Sequence, residues 1–250
     1  MSAAQMTLLA LVGVISGAAN AIAGGGSLIV FPALLAVGLP PLDANVTNSI
    51  AQWPSYFGAT VGQRADLQGQ AARLRLVVPL AAAGAFTGAV LLLVLSSAVF
   101  DTVVPVLVLA ASALMALQPR ITHWTGDPQP GDPDRTVALG LSVFVATLYG
   151  GYFGGALGII MMALLAVTAN DTLRRLNAVK VALSMVAATA ALAVFALGAP
   201  VHWGWVAVIG PATLVGGYAG AKIAQRMHAA VLRWSVVVLG VAVGAYLVVT

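Results

Sequence analysis

The chain has 250 residues, of which 61% are hydrophobic and only 7% charged, and it contains no Glu and no Cys. A soluble domain carries about 25% charged residues, so this composition excludes a water-facing surface and makes lipid the solvent, while the missing Cys excludes disulfides, thiol catalysis and thiolate metal sites. The net charge of +4 sits in short clusters between apolar runs, the pattern of membrane-protein loops rather than of a nucleic-acid-binding face.

In chain order, apolar runs cover about 6–38, 45–62, 76–95, 102–118, 136–168, 177–197, 203–221 and 234–249. The start of the chain has no basic residue before Arg64, so Ala19-Asn20-Ala21 imitates a signal cleavage site without the positive n-region that such a signal needs. Residues 119–135 break the pattern with Pro119, Pro128, Pro130 and Pro133 and with Asp127, Asp132 and Asp134. They predict a linker between a first transmembrane repeat (1–118) and a second (136–250).

The halves resemble each other. An offset of 134 puts Gly17 on Gly151, Gly24 on Gly158 and Ala44 on Ala178; an offset of 132 puts Pro79 on Pro211, Gly84 on Gly216 and Gly88 on Gly220. Runs 6–38 and 136–168 open the two halves. As one helix each would reach about 50 Å, too long for a hydrocarbon core of about 30 Å. Gly24-Gly25-Gly26 interrupts the first, and Gly154-Gly155 with Gly158 the second, which predicts a hairpin of two short helices or a re-entrant loop in each.

Charge sets the topology. With each opening run folded as a hairpin, loops 63–75, 119–135, 169–180 and 222–233 share one side and hold all 11 Lys and Arg, while loops 39–44, 96–101 and 198–202 hold none. With single crossings the basic residues split almost evenly, so the positive-inside rule selects the hairpins. The expected fold is an all-α polytopic membrane protein of two inverted-topology repeats, each a broken-helix hairpin plus three transmembrane helices, with both termini outside the inner membrane.

Candidate binding residues lie at the breaks and at the start of the following helix. The Gly24–Gly26 turn precedes a short helix, and a helix start offers N–H groups and a dipole to an anion; close packing by small residues is the alternative. Gly158 is its expected partner in the second half, with Ile159 and Ile160 in place of Gly25 and Gly26. Asn45, Thr47, Asn48 and Gln52 are polar groups in an apolar span, costly in lipid unless they face a partner or a cavity. Asn177 and Lys180 are their rough counterparts, and Lys180 either meets substrate or snorkels to the interface beside Arg174 and Arg175. Tyr149 and Tyr152 read as aromatic packing, Trp53-Pro54 as a kink, and His202, Trp203 and Trp205 as an outer interfacial belt. No HExxH, GxSxG, paired carboxylates or GxxxxGK[ST] occurs, so neither enzymatic activity nor a cofactor or metal is expected.

GAANAIAGGGSLIVFPALLAVGLPPLDANVTNSI (17–50), LYGGYFGGALGIIMMALL (148–165) with LNAVK (176–180), and PATLVGGYAGAKIAQRM (211–227) resemble the signatures of the sulfite exporter TauE/SafE family. The resemblance implies an inner-membrane permease for sulfur-containing anions such as sulfite, sulfonates or thiosulfate. Its partners would be a small anionic substrate and the lipid bilayer, with no nucleic acid and with a homodimer left open. Without a nucleotide loop or a deep carboxylate, the expected mode is uniport driven by the membrane potential, worth about 2.3 kcal/mol per charge per 100 mV. A transporter of another solute and a non-transporting scaffold are the competing readings.

Overall fold

A computed structural model describes residues 2–95 and 134–223 continuously, together with scattered helical positions between 100 and 120 and between 234 and 245. Most of the last crossing expected in each half, of linker 119–135 and of loop 222–233 lies outside the described residues.

The described fold is helical. It comprises α1 (Ala3–Ile22), α2 (Ser27–Ala36), α3 (Pro41–Gly62), a 3-10 turn (Arg64–Leu67), α4 (Ala71–Val94), α5 (Thr136–Tyr152), α6 (Leu157–Thr168), α7 (Leu173–Gly198) and α8 (Trp203–Ile223). Four of these, α1, α4, α7 and α8, are long and apolar enough to cross a membrane. The 22-residue α3 is less apolar because it carries Asn45, Thr47, Asn48, Gln52 and Ser55, all of them buried inside the protein rather than facing lipid.

Both opening runs do break at glycine, but the limbs are unequal. α1 has 20 residues and α2 has 10; α5 has 17 and α6 has 12. The expected pair of short helices is therefore one long limb and one short returning limb.

The glycine register also differs from the expectation. Gly24 and Gly154 take positive φ, +85° and +76°. Gly24 N–H donates to Ala19 O as Gly154 N–H does to Tyr149 O, and Ile29 N–H to Gly26 O as Ile159 N–H does to Ala156 O. Gly24 thus matches Gly154, Gly25 matches Gly155, Gly26 matches Ala156, and Gly17 falls on Thr147 rather than Gly151. The expected pairing of Gly24 with Gly158 was displaced by four residues, about one helical turn. Such a slip keeps each residue on nearly the same helix face, so a glycine-rich sequence matches itself almost as well.

The Pro-x4-Gly-x3-Gly helices behave equivalently. A Cβ placed on Gly84 or Gly88 of α4 would strike the backbone of Phe144 or Leu148 in α5; one on Gly216 or Gly220 of α8 would strike Val14 or Ala18 in α1. Small residues let these helices approach backbone to backbone, the main source of helix affinity in lipid.

Packing follows from these contacts. α1 and α3 both pack on α8, whereas α5 and α7 both pack on α4. Exchanging α1–α4 with α5–α8 maps the packed helix pairs onto one another, except that α1 meets α7 more extensively than α5 meets α3. The result is two bundles, α1/α2/α3/α8 and α5/α6/α7/α4, each completed by the fourth helix of the other half, with α3 crossing α7 between them.

Candidate functional site at the bundle interface

A small cavity lies about halfway along α3 and α7. One bundle lines it with Ser27, Ser49, Gln52 and Tyr56; the other lines it with Gly150, Gly154, Leu157, Ser184 and the alanines at 187, 188 and 191. It leaves room for about one ordered water. Ser27 and Leu157 are the first residues of the returning helices α2 and α6, so both short helices start at this cavity and present the positive ends of their dipoles to it. The N–H groups of Gly25, Ser27 and Gly155 take no hydrogen bond among the described residues. The Ser184 hydroxyl, on a residue 1% exposed, has no partner either. Among the described residues no carboxylate lines the space.

A buried amide–hydroxyl network joins the first break to this cavity. Asn20 Oδ1 accepts from Gly26 N–H at 2.8 Å, and Asn20 Nδ2 donates to Gln52 Oε1 at 2.8 Å and to Ser55 Oγ at 3.1 Å. Ser16 Oγ donates to Gly26 O at 2.8 Å and accepts from Gln52 Nε2, which also reaches Asn48 Oδ1 at 3.4 Å. Two glycine N–H groups of the triplet are therefore already held by protein, Gly24 by Ala19 O and Gly26 by Asn20 Oδ1. The open donors at this break are Gly25 and Ser27.

The sequence-predicted residues divide accordingly. Gln52 lines the cavity, Asn48 is one hydrogen bond behind it, and Gly24–Gly26 form the break beside it. Gly158 touches Gly24 directly, a Cβ on either falling 2.4 Å from the other's Cα. Thr47 is not brought to the cavity; its Oγ1 accepts from His202 N–H at 3.1 Å. Asn45 and Asn177 act as a related pair: Asn45 Nδ2 donates to Tyr152 O at the end of α5, and Asn177 Nδ2 to Ala21 O near the end of α1. Each amide thus caps terminal carbonyls of the opposite bundle's broken helix.

Lys180 does not snorkel. It is 1% exposed, and its Nζ lies 3.5 Å from Asn20 O.

Sequence reasoning missed Ser16, Asn20, Ser27, Ser49, Ser55, Tyr56 and Ser184. A signal existed for most of them. Ser16 and Asn20 stand at i, i+4 on α1, Ser49 and Tyr56 extend the polar stripe of α3, and Ser184 follows Lys180 by one turn on the same face.

The aromatic residues mostly pack. Tyr149 stacks edge-on against Phe153 and donates to Gly155 O, and Tyr152 lies against Phe100. Trp205, expected in an outer belt, is buried in the core, whereas Trp203 is exposed. Apolar packing around α2 explains this, since Trp205 shares a core cluster with Phe31, Leu34 and Leu39.

Charged groups gather at the ends of the bundles. At one end Arg73 bridges Asp134 (2.7 Å) and Asp171 (3.0 Å), Arg175 pairs with Asp171, and Arg174 pairs with Asp66. Burial alone would raise the Asp134 and Asp171 carboxyls, but hydrogen bonds from Arg73 and Arg175 and from backbone N–H groups outweigh it and hold both below the usual carboxylate range. At the other end His202 Nε2 meets Asp43 at 2.9 Å.

Membrane-length helices, two returning half-helices and a buried polar cavity between repeated bundles define a multi-pass membrane transporter. The chain belongs to the sulfite exporter TauE/SafE family, whose model matches residues 9–247. It is 28% identical over 245 residues to a "Probable membrane transporter protein" of Haemophilus influenzae, covering 94% of this chain and 91% of that one. It is 26% identical over 221 residues to "Probable membrane transporter protein YfcA" of Escherichia coli K12, covering 88% and 79%. No solved structure matches.

Proposed function

We propose that this chain carries a small sulfur-containing anion, of the sulfite, sulfonate or thiosulfate class, across the bacterial inner membrane. The single observation supporting this is the cavity between the bundles, faced by two helix N-termini and, among the described residues, by an unpartnered Ser184 hydroxyl and no carboxylate. Neutral donors and helix dipoles attract an anion without trapping it. Rocking of the bundles about the Gly24–Gly158 contact would expose the cavity to either side in turn. In this reading the end carrying Arg73, Arg174 and Arg175 is cytoplasmic and the Asp43–His202 end is outside.

The test is flux from liposomes holding the purified protein and loaded with sulfite, thiosulfate, sulfoacetate or sulfate. Flux of at least one sulfur anion well above that of empty liposomes is expected, and Ser184→Val, which fills the cavity and removes its free hydroxyl, should abolish it. Folded protein that moves none of the four would favour the scaffold reading.

A further inference from the structure

We propose that Lys180 is a proton-binding site linked to the cavity, so that the anion crosses the membrane together with a proton. This deepens the transport reading above and rests on it.

An ammonium offers three donors and no acceptor. Here it meets one acceptor, Asn20 O, at the long limit of hydrogen bonding, on a side chain 1% exposed. No carboxylate pairs with it among the described residues. The described helices around it supply none. α1, which provides Asn20, and α6 carry no titratable side chain. α3 brings Tyr56 and, at its far end, Asp43, which is held by His202. α5 brings Tyr149 and Tyr152. α4 and the turn before it bring Arg64, Asp66, Arg73 and Arg75, near the first turn of α7 with Arg174 and Arg175. α8, which meets α7 at Val181, brings Tyr218 and Lys222, the latter over the Tyr218 ring.

A buried cation without a counter-charge is costly, and an anion in the cavity would supply that counter-charge. Ser184, in the cavity wall, follows Lys180 by one turn, about 6 Å along α7. At an effective dielectric of about 20, an ammonium and an anion about 6–10 Å apart favour joint occupancy by about ten- to a hundredfold. Lys180 also contacts the cavity through protein, because the Asn20 whose carbonyl it touches donates to Gln52. The empty site therefore holds the neutral amine, and the occupied site holds an ammonium beside an anion. The proton comes from and returns to bulk water on the side to which the cavity opens. For a monoanion the transported pair is neutral, which replaces the potential-driven uniport expected from the sequence.

Two measurements with thiosulfate, which stays deprotonated near neutral pH, test this. In weakly buffered detergent solution, binding should draw about one proton per anion onto the wild-type protein and none onto Lys180→Gln. In liposomes with the potential clamped at zero, a pH difference of one unit should accumulate thiosulfate about tenfold on the alkaline side. Lys180→Gln should show no such accumulation. Thiosulfate binding and flux with no proton uptake and no response to pH would overturn the coupling alone and leave the transport reading standing. Absence of flux for every anion above would overturn the transport reading, and this inference with it. The wild-type measurements decide the matter even if the variants fail to insert.

Discussion

Gly24 and Gly158 touch backbone to backbone, one from each broken run, where the two bundles meet. They are not equivalent positions, so the contact is a crossing of the two breaks rather than a repeated feature. A methyl at position 158 would lie 2.4 Å from the Gly24 Cα, with no flexible side chain to yield. Gly158→Ala should force the bundles apart, lowering the thermal midpoint in detergent and cutting flux at least tenfold. Gly38→Ala is the control. Gly38 also has positive φ, +95°, but open space around it, so it should cost about 1 kcal/mol and leave flux near wild type. Equal behaviour of the two variants would remove the crossing from the mechanism.

How much of this was legible in the sequence depends on which signal is followed. Composition and the glycine breaks pointed to a helical membrane protein with interrupted segments, because lipid penalises charge and unpaired backbone so heavily that few alternatives remain. Pro79/Pro211 and the glycines after them marked equivalent helices, since only small residues permit that approach. Gly24 against Gly158 misled, because in a chain rich in Gly and Ala a slip of one turn preserves the face pattern. The site was half visible. Gln52 and Asn48 stood out in an apolar span, whereas Ser16, Asn20 and Ser184 offered only a one-turn spacing on their own helices; what gathers them around Gln52 and the cavity is tertiary packing. Lys180 sits early in α7, and its spacing from the basic pair suited snorkelling; what decides otherwise is α1 lying across it.

Asn20 holds the break closed from within. It accepts from Gly26 N–H and donates to Gln52 and Ser55. Asn20→Ala would leave buried donors and acceptors unmatched, each costing about 1–3 kcal/mol. The expected outcome is a clear fall in thermal midpoint in detergent together with weaker anion binding. A variant as stable as wild type, with unchanged affinity, would show the network to be dispensable.

Acid should loosen the basic end of the molecule. Asp134 and Asp171 titrate below the usual carboxylate range in the folded protein. Their contribution is therefore fully present above the unfolded value of about 4 and is lost as pH falls through the depressed folded values. Arg73→Met removes the guanidinium shared by both carboxylates. It should lower stability at pH 7 and flatten its dependence on pH below about 5. Thermal midpoints across that range, compared with wild type, check this, and parallel profiles would rule out Arg73 as the cause of the depressed values.

The orientation in the membrane can be read directly, because the chain has no Cys to mask a label. Asp66, Arg73, Asp134, Asp171, Arg174 and Arg175 meet at one end of the bundles, and Asp43 and His202 meet at the other. The positive-inside rule predicts that the first end is cytoplasmic. α1 and α8 run in parallel, since Val14 lies against Gly216 and Ala18 against Gly220. Ser2 should therefore share the outer side with the start of α8. Single cysteines at Ser2, Asp43 and Ala199 should react with an impermeant maleimide on intact spheroplasts, and one at Gln68, exposed at the basic end, should react only after permeabilisation. Labelling of position 68 on intact spheroplasts, with 43 and 199 protected, would reverse the orientation and place the Arg73 end outside. Labelling of 43 and 199 from opposite sides would contradict the inverted arrangement itself, because α3 and α8 start at the same end only if the second half enters the membrane from the side opposite to the first.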